Sequence, residues 1–312
     1  MDAFASMNEG LSYNLCVELT VHEPNDSRRA DIAFQWLTEG VSAADAEGLI
    51  PALPENPRLS EAGYKNVPAS AVARRTGVFG FLEVSPADTF GVLYNPYATG
   101  ALPWLRKQLD RFPESAGARI GTIDPGDGQE TRRISLSVTF DEDLPEYVKL
   151  VYVVDEAELA AQETSAAAHA RLLATIGWAA HRFDVVFGHA SYEHAGGATE
   201  QEHYTRGPGR VPSINTPLWR SRVRGYSWLT IVSGDIALAL GGRPALEATG
   251  AFQEIEHLPN GSLLLLATRR FQDYRGEAVA AVKRALRDVL IDAELRQPPP
   301  VPGPPTFMVV FE

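Results

Sequence analysis

From Leu11 to Val21 apolar residues fall at alternate positions, Leu15, Val17 and Leu19, and this period of two predicts a strand. Val78 to Val84 and Phe183 to Tyr192 predict two more. Ile134 to Phe140 and Tyr147 to Val154 predict an antiparallel pair joined by the acidic turn Asp141-Glu142-Asp143-Leu144-Pro145. Helical spacing takes over in Ala30 to Leu37, in Leu102 to Phe112 behind Pro103, and along Leu172, Leu173, Ile176 and Ala180. The last of these follows a cap at Thr164 or Ser165. Gly48 to Pro68 carries four prolines and reads as a long surface connection. The glycine-rich stretch from Ala116 to Gln129 reads as an internal boundary or a mobile loop.

The pattern is most consistent between Arg222 and Leu295. Tyr226 to Val232 is dense in aromatic and β-branched residues and predicts a strand. Ser233 and Asp235 can cap a short helix that Gly241-Gly242 must stop, since glycine takes the positive φ that ends helices. Pro244 opens a second short helix and Gly250 closes it. Phe252 to Leu258 and Ser262 to Thr268 flank the turn Pro259-Asn260-Gly261 and predict a hairpin, with Leu263 to Leu266 as a central strand covered on both sides. Val279, Val282, Leu286, Val289, Leu290 and Ala293 mark a final amphipathic helix, against whose stripe Trp228 is expected to pack. The proline-rich run Pro298 to Pro305 predicts an extended strap, and the apolar Phe307 to Phe311 beyond it should dock on the sheet.

Strands and helices in this order predict an α+β fold of mixed or antiparallel sheets with packed helices, arranged as two related lobes. The expected organisation is one compact domain over residues 1–312 with a lobe boundary near 116–130. A hydrophobic content of 45% with 22% charged residues suits a soluble globular chain. The net charge of −12 argues against a nucleic-acid partner, which needs concentrated positive charge. Cys16 is the single cysteine, which points to a reducing compartment. The first ten residues hold Asp2 and Glu9 but no Lys or Arg, unlike a signal peptide, and no apolar run reaches membrane-spanning length. A cytoplasmic location without membrane contact is the expectation.

Four of the seven histidines lie between His181 and His203, beside Glu193, Glu200 and Glu202. His189, His194 and His203 could form a metal site, and a metal-dependent hydrolase or small-molecule-modifying enzyme would be built there. The His189–His194 spacing fits neither a helical i,i+4 pair nor a same-face strand pair, and Gly196-Gly197 suggests a flexible loop; polar loop residues are the plainer reading. Arg220, Arg222 and Arg224 could clamp an anion, or face solvent beside carboxylates. Asp141, Glu142, Asp143 and Glu146 could meet a basic partner, or form an ordinary hairpin turn. The sequence holds no Gly-x-Ser-x-Gly elbow, no Walker loop and no Rossmann glycine spacing. No cofactor is called for, and the chain reads as more binding protein than enzyme. A scaffold acting through the proline strap is a third reading.

Gly225-Tyr226-Ser227-Trp228-Leu229-Thr230, followed by Ala239-Leu240-Gly241-Gly242 and Pro259-Asn260-Gly261, resembles the C-terminal region of type VI secretion immunity proteins. The resemblance covers about a quarter of the chain. It implies a cytoplasmic, non-catalytic protein whose partner is a cognate antibacterial protein toxin, which it binds and blocks. The acidic residues of the 141–146 turn are the expected contact, and homodimerisation is left open.

Overall fold

The computed structural model describes residues 13–53, 77–124, 130–297 and 305–311. Most of the proline-rich connection before residue 68 and nearly all of the strap at 298–305 lie outside these residues. The strands are β1 (Asn14–His22), β2 (Val78–Ser85), β3 (Leu93–Pro96), β4 (Ser115–Ile123), β5 (Glu130–Phe140), β6 (Tyr147–Asp155), β7 (Val185–Tyr192), β8 (Leu229–Val232), β9 (Glu254–His257) and β10 (Leu263–Leu266). The fold is α+β, antiparallel strands with packed helices. Its contacts divide it into two compact units, residues 21–154 with 170–183, and residues 1–20 with 155–169 and 184–312. Among the described residues no helix is long and apolar enough to cross a membrane.

In the first unit the strand order is β3-β2-β4-β5-β6, antiparallel throughout. The expectation of a mobile loop from Ala116 is corrected here, because residues 116–123 lie in β4, paired on both edges, while residues 125–129 lie outside the described residues. Glycine misled, since it signals a turn in isolation. Here Gly121 stands where a Cβ would press on the backbone of Thr131 and the ring of Phe79. The acidic turn is as expected: Leu144 N donates to Asp141 O, and Asp143 N to Asp141 Oδ1, both at 3.1 Å. Helix Asp26–Gln35, capped by Asn25, runs into a wider turn at Trp36–Gly40. That turn buries Trp36, whose indole N–H donates to Ser137 O at 2.9 Å.

The second unit carries the order β1-β7-β8-β10-β9, with β7–β8, β8–β10 and β10–β9 antiparallel. Leu15, Val17 and Leu19 of β1 are fully buried, as their alternation requires. Strand β8 is shorter than expected, yet Tyr226 to Trp228 ahead of it are still buried. Ser233 accepts from Ile236 N at 3.3 Å and caps helix Gly234–Ala239. Gly241 and Gly242 follow with φ of 83° and 72°, and helix Gly242–Ala248 has Pro244 in its first turn. The hairpin β9–β10 turns at Gly261, and Leu263 to Leu266 are all buried between β8 and β9. The last helix, Glu277–Leu286, buries Val279, Val282 and Leu286 but gives way to a tighter turn at Arg287–Val289. Ala293 therefore lies beyond the helix.

Gly241 offers a direct check of this local logic. A side chain there meets both an unfavourable φ and Ala245, whose Cβ would stand 2.8 Å from the new Cβ. Gly241→Val is expected to destabilise by at least about 1–2 kcal/mol from backbone sterics alone. A thermal melt beside Gln272→Ala measures it, and melting within a degree of wild type would refute the left-handed assignment.

Candidate functional site

The polar centre of the second unit grows from β1, β7 and the connection that follows β7. β1 alternates, so Leu15, Val17 and Leu19 share one face while Cys16, Glu18 and Thr20 share the other. That second face is also covered, and Glu18 is buried. Every residue of β7 is buried, His189 included. After β7 the chain turns through Gly196 and Gly197, with φ of 69° and 70°. The turn runs close to β1, since a Cβ on Gly197 would collide with the Glu18 carboxylate. Thr199 then caps helix Glu200–Tyr204: its hydroxyl accepts from Glu202 N at 3.1 Å, and Glu202 Oε2 accepts from Thr199 N at 2.9 Å.

Arg224 enters this centre from the far side of the 205–224 connection and is only 2% exposed. Its Nε and Nη2 each donate to a Glu202 oxygen at 3.0 Å, a bidentate pair. Nη2 also reaches Gly197 O at 2.8 Å, and Nη1 reaches Glu18 Oε1 at 3.2 Å. Asn215 adds a bond to Glu202 Oε1 at 2.8 Å. His189 Nε2 lies 3.9 Å from Glu18 Oε1, beyond hydrogen-bond reach. Burial would drive the guanidinium toward neutrality, but the two carboxylates win and its pKa is raised. The bonds of Arg224, Glu202 and Asn215 end largely on one another, so the network is suited to fixing the 193–224 connection.

His194 and His203 stack with ring centroids 3.9 Å apart, and His194 Nε2 lies 2.9 Å from Glu200 Oε1. Burial, reinforced by His194, lowers the His203 pKa. Of the three histidines considered for a metal, the structure joins His194 and His203 and sets His189 against Glu18 and Phe187. Among the described residues no three His, Cys, Asp or Glu side chains are grouped so as to hold an ion. Nor do the three arginines share a target: Arg220 pairs with Asp235, Arg222 donates to Asp288 O, and Arg224 turns inward. In the acidic turn Glu142 and Asp143 are exposed, Asp141 and Glu146 are half-buried, and Lys149 Nζ lies 3.7 Å from Asp141. Cys16 is half-buried, and its thiol is pushed up to about 12, first by burial and then by Glu193 and Glu18. That thiol is a poor nucleophile.

Sequence reasoning missed Glu18, His169 and the role of Thr199. The Thr199-x-x-Glu202 box was visible as a capping signature. A lone Glu18 within an apolar strand gives no hint of its partner 206 positions away. His169 is buried on the helix that starts at Ser165, accepting from Phe271 N at 2.9 Å through Nε2, which leaves its Nδ1–H for Ser165 O at 2.7 Å.

The fold is similar to that of a Pseudomonas aeruginosa type VI secretion system (T6SS) protein, with a TM-score of 0.50 over 89% of this chain and 74% of that one. Sequence identity is 11%, so the likeness is one of fold. No family model matches the chain, and no curated protein matches it.

Proposed function

We propose that the protein is a non-catalytic, immunity-type component of a type VI secretion system that binds a cognate antibacterial toxin in the cytoplasm and neutralises it. The fold likeness to a T6SS protein across most of this chain carries the reading. The local resemblance at 225–230, 239–242 and 259–261 supports it independently. The polar centre around Arg224 supports a binding role too, since its charged groups are engaged with one another and serve to hold a surface in place.

Genetics tests it. With the gene and its neighbour deleted together, the neighbour expressed alone should arrest growth, co-expression of this chain should restore it, and the two should co-purify. A harmless neighbour with no co-purifying partner overturns the proposal. Within it, Glu142 and Asp143, both exposed, are the residues assigned to contact with a basic toxin surface. Glu142→Lys combined with Asp143→Lys should weaken association about tenfold at low salt, chiefly by slowing it, and leave the melting temperature unchanged. Unchanged association kinetics in a biolayer measurement would remove this turn from the interface.

A further inference from the structure

Beside the closed Arg224 network lies a second set of buried polar groups that is not satisfied. Glu200, 1% exposed, begins the short helix after Thr199. Its Oε1 receives Tyr192 N at 3.1 Å and faces His194 Nε2 at 2.9 Å. Among the described residues its Oε2 receives nothing, and the hydroxyl of Tyr274, 0% exposed, has no partner either. Burial raises the pKa of Tyr192, Tyr204 and Tyr274, and the Glu200 carboxylate adds to each, directly after burial for Tyr204, behind Tyr226 for Tyr274 and behind Glu156 for Tyr192. Tyr192 is bonded to this carboxylate through its backbone, and Tyr204 lies one helical turn beyond it.

The cover over this cluster is apolar. Phe307 stands edge-on to Tyr192 at 6.0 Å and tilted against Phe271 at 5.9 Å, while Phe311 packs on Tyr204 at 5.4 Å. The segment is also tied by Val310 N donating to Tyr226 Oη at 3.0 Å and Lys283 Nζ donating to Val310 O at 3.3 Å. None of these contacts meets Glu200 Oε2 or the Tyr274 hydroxyl. An unmet buried carboxylate oxygen is costly, so its retention marks a place where something else supplies the donor. Arg275 is engaged elsewhere, lying over the Phe307 ring and acting on Glu156 and Tyr192. The missing group must be a donor, should be positive to match the carboxylate, and should be a cation that an aromatic ring can attract, since Tyr192 and Tyr204 are neighbours of Glu200. A primary ammonium has all three properties.

We propose that Glu200, Tyr274 and the rings of Tyr192 and Tyr204 form a binding site for a small primary ammonium compound, anchored on Glu200 Oε2 and covered by Thr306–Phe311. The site is independent of the toxin-binding reading. Calorimetric titration of the full chain with propylammonium chloride, against 1-propanol and against sodium chloride at equal ionic strength, tests it. Saturable binding of the amine at least about tenfold tighter than of the alcohol is expected, as one charge-assisted bond provides that ratio. Glu200→Gln should abolish the preference, and Tyr274→Phe, which keeps the ring, should weaken the amine about threefold with the fold intact by circular dichroism. No preference for the amine in the wild type, or wild-type affinity in a folded Glu200→Gln variant, overturns the proposal; bridging water alone would give the first outcome. If Glu200→Gln does not fold, the wild-type comparison and Tyr274→Phe decide.

Discussion

Replacing Arg224 by methionine is expected to destabilise the protein by about 3–5 kcal/mol, the range found when one partner of a buried ion pair is removed. Methionine preserves much of the volume, so the loss is electrostatic. Glu18 and Glu202 would be left as buried carboxylates without their shared cation, and Gly197 O would lose its donor. The consequence is local before it is global, because Glu202 also closes the cap on Thr199 and holds Asn215. Urea denaturation of Arg224→Met beside Arg220→Ala measures the effect. Arg220 pairs with Asp235 at the surface, where such pairs are worth about 0–1 kcal/mol. Equal midpoints for the two variants would show that the buried network contributes no stability.

Trp228→Ala should cost about 3–5 kcal/mol, the range for truncating a buried aromatic. The indole is fully buried, stands edge-on to His169 at 5.6 Å and to Phe271 at 5.8 Å, and donates Nε1–H to Thr268 O at 2.9 Å. Truncation removes both ring contacts, leaves a cavity and strands a carbonyl. Trp228→Phe should recover most of the packing and lose the hydrogen bond, so its destabilisation should fall well short of the alanine variant. Thermal melts of the two would show this order; an alanine variant melting within a degree or two of wild type would contradict the burial of the indole.

How much of this was legible beforehand depends on the range over which each signal acts. Ser233 as a cap, Gly241-Gly242 as a stop, Gly261 in a turn and Leu263 to Leu266 as a covered strand are decided by neighbours within a few positions. The sequence states them directly. The glycines of β4 show the limit, because Gly117 and Gly121 look like loop residues until β2 and β5 lie on either side. The last helix shows it again: apolar spacing continues through Val289, Leu290 and Ala293, yet the α-helix stops at Leu286.

The candidate site falls almost wholly on the far side of that limit. By itself the sequence determined the α+β class, the alternating face of β1, the strand–helix–hairpin–helix run after residue 222 and the absence of familiar nucleophile and phosphate motifs. It marked the 181–203 cluster as rich in titratable groups without saying which would meet. Only the tertiary structure decided that Arg224 turns inward to Glu18 and Glu202, that His194 stacks on His203, and that Glu200 keeps an unmet oxygen among the described residues. The reason is physical. Helix and strand propensities are local and leave a periodic trace, whereas a buried charge is tolerated only where distant segments bring its counter-charge within about 3 Å. That encounter leaves no period in the chain.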